Sequence, residues 1–230
     1  MTRARGCFVT GTDTGVGKTR VACALVRGLR RRGVDVGAMK PIETGVGASG
    51  PLDALALRRA AGGGDPLEDV CPQRFGLPAA PLAAARHQGR EVDDAALDAA
   101  FARLAARHEL LVVEGAGGLR VPVTAVDSMA DLALRWRLPL VVVARASLGT
   151  INHTRLTLES AARSGLEVLG LVISHPDGPL SPADAANLSL LLENPGARLL
   201  GVLPPLAEGE QVADDALDLA PLIALRADRR

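Results

Sequence analysis

Two lysines occur among the 26 Lys and Arg residues of this chain, Lys18 and Lys40; all the others are arginine. Arginine is a planar fork of donors, whereas lysine is a compact point charge on a flexible stem. A chain so biased toward arginine keeps lysine where a point charge is needed, and both positions suit contact with phosphate. Lys18 lies in Gly11-Thr12-Asp13-Thr14-Gly15-Val16-Gly17-Lys18-Thr19. Such a glycine-rich loop lets consecutive backbone N–H groups approach phosphate oxygens, and a following helix adds its positive end. Lys18 would then bridge the terminal phosphates and the Thr19 hydroxyl would meet Mg²⁺. Gly11 and Gly17 are separated by five residues, so the loop is one residue longer than the common Gly-x4-Gly-Lys spacing. Lys40 ends a second apolar run, in Met39-Lys40-Pro41. Pro41 disfavours helix at Lys40 and keeps it extended.

Two acids are candidate metal partners. Glu114 ends the apolar run Leu110–Val113 and precedes Gly115-Ala116-Gly117-Gly118. A carboxylate at a strand end beside a phosphate loop is where a metal-side acid is expected. Asp53 has two readings on spacing alone: a metal-side acid, or the N-cap of the helix that Ala54-Leu55-Ala56-Leu57 begins.

The elements that must position these residues follow from the apolar pattern. Strand-like runs at 7–10, 34–39, 110–113, 138–144, 168–173 and 199–203 alternate with helical stretches at 18–32, 53–61, 93–107, 150–163 and 181–192. Residues 65–90, rich in Pro, Ala and Gly, give no firm assignment. Strand–helix alternation predicts an α/β fold of three layers, with a mostly parallel central sheet flanked by helices. Ligands bind beyond the carboxyl ends of such strands. Thr10, Lys40, Glu114, Arg145 and Ser174 all fall there.

Composition sets the outer limits. At 230 residues one domain, 1–230, is expected. Apolar residues make up 48% but aromatics only 2%, with no Tyr, which suits a Val/Leu/Ile/Ala core around a buried parallel sheet. Net charge is zero, which argues against nucleic acid as a partner. Three cysteines without metal-like spacing read as reduced thiols of a cytoplasmic protein. No apolar run reaches the ~18 residues of a membrane span, and Met1–Arg5 leads directly into the first strand, so no signal peptide is expected.

Taken together, Gly11–Thr19, Lys40-Pro41, Val113-Glu114-Gly115-Ala116-Gly117-Gly118 and Leu148-Gly149-Thr150-Ile151-Asn152-His153 resemble dethiobiotin synthetase, from the first strand to about Pro204. The resemblance implies a P-loop enzyme of biotin biosynthesis. It would use ATP and Mg²⁺ to close a cyclic urea on 7,8-diaminononanoate with CO2 or bicarbonate. It also implies a homodimer with the substrate across the interface. Lys40 and Lys18 match the catalytic lysines, and Thr19, Asp53 and Glu114 match the Mg²⁺ positions. Nucleotide contacts are implied at Thr14, Gly15, Val16, Gly17, Lys18, Thr19 and Arg20, and at Asp53, Glu114, Gly115, Ala116 and Gly117. Substrate contacts are implied at Thr14, Lys40 and Thr44. Gly149, Thr150 and Asn152 open a helix whose free N–H groups would take the substrate carboxylate; an ordinary Thr150 N-cap is compatible with that role. His153 reads as a packing or capping residue.

The match departs from the family pattern in the base subsite. An Asn-Asp pair is replaced here by Ser174-His175, which opens the site to other nucleoside triphosphates. Pro204, Pro205 and Leu206 match a stretch flanking the base. Asn187 stands where some relatives place a Tyr. Two rival readings remain: an ATPase switch of the partitioning type, whose extra early lysine is here Asp13, and an amidotransferase-type synthetase domain, whose glutaminase part has no counterpart in this sequence.

Overall fold

The structure is a computed structural model and describes residues 5–175, 179–205, 212–213 and 215–226. Six parallel strands form the central sheet: β1 (Gly6–Gly11), β2 (Val36–Met39), β5 (Leu110–Gly118), β6 (Leu140–Arg145), β7 (Val168–Ser174) and β8 (Leu199–Leu203). Their order is β2-β5-β1-β6-β7-β8. The chain leaves β1 toward β2 on one side, and its later strands build out on the other. β1 therefore lies at the reversal of strand order, where open sheets leave a crevice.

Strand periodicity explains the layers. Cys7, Val9, Val36, Ala38, Val112, Val141, Val143 and Val172 join one buried cluster, together with Val21, Leu25 and Leu29 of helix α1 (Lys18–Arg31). Phe8, Met39, Leu111, Val113, Leu140, Val142, Leu171 and Ile173 join another. That second cluster also takes Leu97, Phe101 and Leu104 of helix α5 (Asp94–Arg107). Neighbouring residues on a strand point to opposite faces, so these near-continuous apolar runs serve two cores. Phe101 and Trp136 stack at 4.5 Å between centroids, and the indole N–H donates to Asp98.

The expected strands and helices are present with end shifts of a few residues, save at β5, which continues through Glu114 to Gly118. Its pairing with β1 shifts register between Val9 and Gly11, so the glycine run stays within the sheet edge. A Cβ at Gly115 would lie 2.7 Å from the Phe8 ring, which explains a glycine directly after Glu114.

The unassigned stretch 65–90 contains helix α3 (Leu67–Val70), strand β4 (Gln73–Phe75) and helix α4 (Pro81–His87). β4 pairs in parallel with β3 (Ile42–Thr44) to form a second sheet. The Lys40 N–H donates to the Val70 carbonyl at 2.7 Å, so this stretch buttresses the backbone at Lys40. Three further elements lack a sequence-based assignment: β3, α6 (Met129–Arg135) and α9 (Ala220–Ala224). The remaining helices are α2 (Leu52–Ala60), α7 (Thr150–Arg163) and α8 (Pro182–Glu193). No helix among the described residues is long and apolar enough to cross a membrane.

Candidate active site

The loop after β1 wraps into α1 through Gly17, which has φ 93° and takes the N-cap position. A side chain there would be strained, and its Cβ would lie 2.6 Å from Ser174 Oγ. Gly17 thus lets the phosphate loop sit directly on the end of β7. Ser174 is fully buried beneath it. Thr14 and Gly15 are exposed at the tip, Val16 is buried, and the Thr14 N–H donates to the Asp13 carboxylate at 2.7 Å. Lys18 is buried, and its ammonium donates to the Asp13 carbonyl at 3.0 Å. Burial, with Lys40 nearby, lowers the Lys18 pKa to about 8.

Lys40 follows β2 and reaches across to β5. Its Nζ lies 2.5 Å from Glu114 Oε1 and 3.1 Å from Asp53 Oδ2, and donates to the Gly115 carbonyl at 3.3 Å. Burial alone would lower its pKa. Glu114 and Asp53 outweigh that and hold its pKa above the usual lysine value, so the ammonium is charged. Burial also raises the Glu114 pKa against the pull of Lys40. Asp53 shifts the other way: its partial burial is outweighed by Lys40 and the Thr19 hydroxyl, which hold it below the usual carboxylate range.

Thr19, in the first turn of α1, donates its hydroxyl to Glu114 Oε1 at 2.9 Å. The other Glu114 oxygen, Oε2, is buried with no hydrogen-bond partner among the described residues. A buried carboxylate oxygen left without a partner is costly. With the Thr19 hydroxyl and the half-buried Asp53 carboxylate, it makes an all-oxygen donor set that fits Mg²⁺, which takes one or two carboxylates and substrate phosphates. The described residues contain no group of three His, Cys, Asp or Glu side chains able to hold a metal.

The N-cap reading of Asp53 is overturned. Pro51 is the N-cap of α2 and Asp53 is the second helical residue, in the first turn, with its carboxylate on Lys40. The cap comes from outside the helix: Glu43 accepts from the N–H groups of Asp53 at 3.1 Å and Ala54 at 2.9 Å. No local spacing pointed to Glu43, because its partners are set by β3 docking against α2. Thr44, next to it, is half-buried at the end of β3.

At the far side, Arg20 ties together the ends of β7 and β8. Its guanidinium donates to the His175 carbonyl at 3.4 Å and to the Pro204 carbonyl. Burial and Arg20 lower the His175 pKa. Pro204 and Pro205 are exposed; Leu206 lies outside the described residues. Ala116 and Gly117 continue β5 beyond Glu114, and Gly117 has φ 64°.

The remaining expected residues stand apart from this cluster along the chain. Gly149, with φ 89°, is the N-cap of α7, so Thr150 is its first helical residue and not the cap. Thr150 is buried and its hydroxyl has no partner among the described residues. Asn152 is exposed. His153 is exposed too, with its ring over Gly149, so it is neither packed in the core nor seen to cap. Asn187, on α8, donates its amide to the Ala183 carbonyl of its own helix at 3.0 Å.

The chain is similar to known proteins over most of its length. Residues 5–212 match the AAA domain family. The ATP-dependent dethiobiotin synthetase BioD of Anaeromyxobacter dehalogenans (strain 2CP-C) is 52% identical over 206 residues, covering 88% of this chain and 92% of the relative. The protein of the same name from Aquifex aeolicus (strain VF5) is 42% identical over 73% of this chain and 74% of its own. That from Thermodesulfovibrio yellowstonii (strain ATCC 51303 / DSM 11347 / YP87) is 38% identical over 96% of this chain and 99% of its own. Among solved structures, the signal recognition particle receptor FtsY of Elizabethkingia anophelis superposes with a TM-score of 0.55 at 14% identity. The match covers 98% of this chain and 66% of that one, and at that identity it shows the shared fold alone. Similarity at this level over nearly the whole chain, with the phosphate loop, Lys40 and Glu114 assembled at one sheet edge, means that the chain belongs to the ATP-dependent dethiobiotin synthetase family.

Proposed function

We propose that this chain, acting as one domain, closes the cyclic urea of dethiobiotin on 7,8-diaminononanoate with CO2 and ATP. One amine adds to CO2 to give a carbamate. A carbamate oxygen takes the terminal phosphoryl group of ATP, giving a mixed anhydride and ADP. The second amine attacks the carbonyl carbon and expels phosphate. The observation that supports this reading best is the buried Lys40 ammonium beside two carboxylates, next to the phosphate loop.

Phosphorylating a carbamate brings anionic oxygens together, so catalysis needs concentrated positive charge. Lys18 would bind the terminal phosphates. Lys40 would hold the carbamate and the charge that develops during transfer. Thr19, Asp53 and Glu114 would hold Mg²⁺, which when bound neutralises phosphate charge. Thr14 and Thr44 would contact the diamine or its carbamate.

The homodimer belongs to this proposal. Gly149, Thr150 and Asn152 at the start of α7 would bind the substrate carboxylate, each copy serving the site of the other, with Asn187 nearby. Ser174, His175 and Pro204–Leu206 would flank the base. Ser174 replaces an amide with a shorter hydroxyl that lies buried beneath Gly17, so base recognition would loosen and CTP or GTP would substitute in part for ATP. A cytoplasmic location fits the three free cysteines. The partitioning-type switch is disfavoured: its early lysine is replaced by Asp13, whose carboxylate accepts from Thr14.

The test is direct. Purified protein, diamine, bicarbonate, Mg²⁺ and ATP should yield the cyclic urea, identified by mass. ATP hydrolysis that ignores the diamine and yields no such product would overturn the proposal. Parallel assays with CTP and GTP measure base preference.

A further inference from the structure

Asp53 reaches Lys40 from the first turn of α2, and that helix has no capping side chain of its own. Its free N–H groups at Asp53 and Ala54 are both taken by one carboxylate, Glu43, through separate oxygens. Glu43 is buried in the middle of β3, three residues after Lys40. Its neighbours on the strand, Ile42 and Thr44, point to the opposite face; Ile42 is part of the core. A carboxylate spanning adjacent N–H groups fixes both the depth and the rotation of the helix end. The connection forms a ring: Lys40 leads through Pro41 and Ile42 to Glu43, Glu43 holds the backbone of Asp53, and the Asp53 side chain returns to Lys40.

We infer that Glu43 is a positioning residue for the reaction: by clamping the start of α2 it sets the Asp53 carboxylate beside Lys40 and Glu114, where the metal-side oxygens converge. The inference rests on the proposed reaction and on the Mg²⁺ role of Asp53. Glu43 itself would touch neither nucleotide nor substrate. Outer partners that orient a ligand usually change metal affinity 10–100-fold when lost, by the order of about one to two decades. Burial raises the Glu43 pKa, and repulsion from Asp53 adds to that against the pull of the paired N–H groups and Lys40. Retaining an acid here is therefore unfavourable unless its geometry is used.

The experiment compares wild type, Glu43→Ala and Glu43→Gln in the full chain. Mn²⁺ binding with ATP present is followed by electron paramagnetic resonance, and ATP binding in EDTA by calorimetry. Glu43→Ala should weaken Mn²⁺ binding about tenfold or more and lower kcat, while ATP affinity in EDTA stays within about twofold. Gln retains one acceptor but turns an N–H toward the second helix donor, so its Mn²⁺ affinity should lie between wild type and Glu43→Ala. Should Glu43→Ala not fold, Glu43→Gln decides: Mn²⁺ affinity equal to wild type overturns the inference. Equal loss of ATP affinity with and without metal also overturns it, since that marks general damage to the loop. If wild type itself binds no Mn²⁺ with ATP, or forms no cyclic urea, the proposed function has failed first.

Discussion

Lys40 and Glu114 form a buried ion pair at 2.5 Å that joins the end of β2 to the middle of β5, next to the phosphate loop. Glu114 is the more deeply enclosed partner, at 1% exposure. Removing one member of such a pair leaves an uncompensated charge and typically costs about 3–5 kcal/mol. Lys40→Ala should therefore lower stability in urea by an amount of that order. It should also reduce turnover by about 10²–10³, the usual effect of losing one preorganised charge at a transition state. ATP affinity should change little. Loss of ATP affinity at unchanged kcat would contradict the role assigned to Lys40.

Glu114→Gln keeps the shape and an acceptor for Thr19 but removes the charge that faces a cation. Mg²⁺ should then be needed at least about tenfold more concentrated for half-maximal turnover. Mn²⁺ titration with ATP present should show the same shift. An unchanged metal requirement would exclude Glu114 from the metal site.

Lys18 makes the free protein sensitive to pH. Its pKa is lowered by burial to about 8, against 10.5 for an unperturbed lysine. Between those values the unfolded chain binds more protons, so this group makes the fold more stable as pH rises through the window. Bound phosphates favour the ammonium form and should restore the proton. ATP binding near pH ~8.5 should thus take up most of one proton per site, and almost none near pH ~6.5. Calorimetry in buffers of different ionisation heat measures this; no uptake at the higher pH would show that Lys18 is already charged there.

Gly17→Ala meets two obstacles, a φ of 93° and Ser174 Oγ at 2.6 Å from the new Cβ. The backbone strain alone is worth about 1–3 kcal/mol. ATP affinity should fall by about tenfold or more through displacement of the loop. Adding Ser174→Gly should relieve the contact but not the dihedral, so recovery in urea unfolding and in ATP binding should be partial. Full recovery would mean that φ at this position carries no cost.

The features legible in the sequence are those that one segment encodes by itself. The phosphate loop is a contiguous motif, and long apolar runs mark strands whatever they pack against. Lys40 and Glu114 stood out because each ends such a run. Features that depend on distant partners were not legible. β3 and β4 have three residues each, too few for a period, and exist because they pair with each other. Glu43 looked like one more acid because its partners come from α2. Helix α6 is different: Ser128 and Asp131 form a capping box, and that Ser-x-x-Asp spacing before Met129–Arg135 was a usable signal. At the base subsite, Ser174 could be placed at a strand end, but not beneath Gly17, since only the folded loop brings them together.

Both lysines of the chain are enclosed in the same crevice, at 6% and 4% exposure. The described exterior therefore presents guanidinium and imidazole groups as its basic side chains and no lysine amines. Acylating reagents, amine-directed crosslinkers and lysine-modifying enzymes would find no side-chain target without entering the nucleotide site. Any covalent tag recovered on a lysine of this protein would thus double as a footprint of that site, and a saturating ligand should block it.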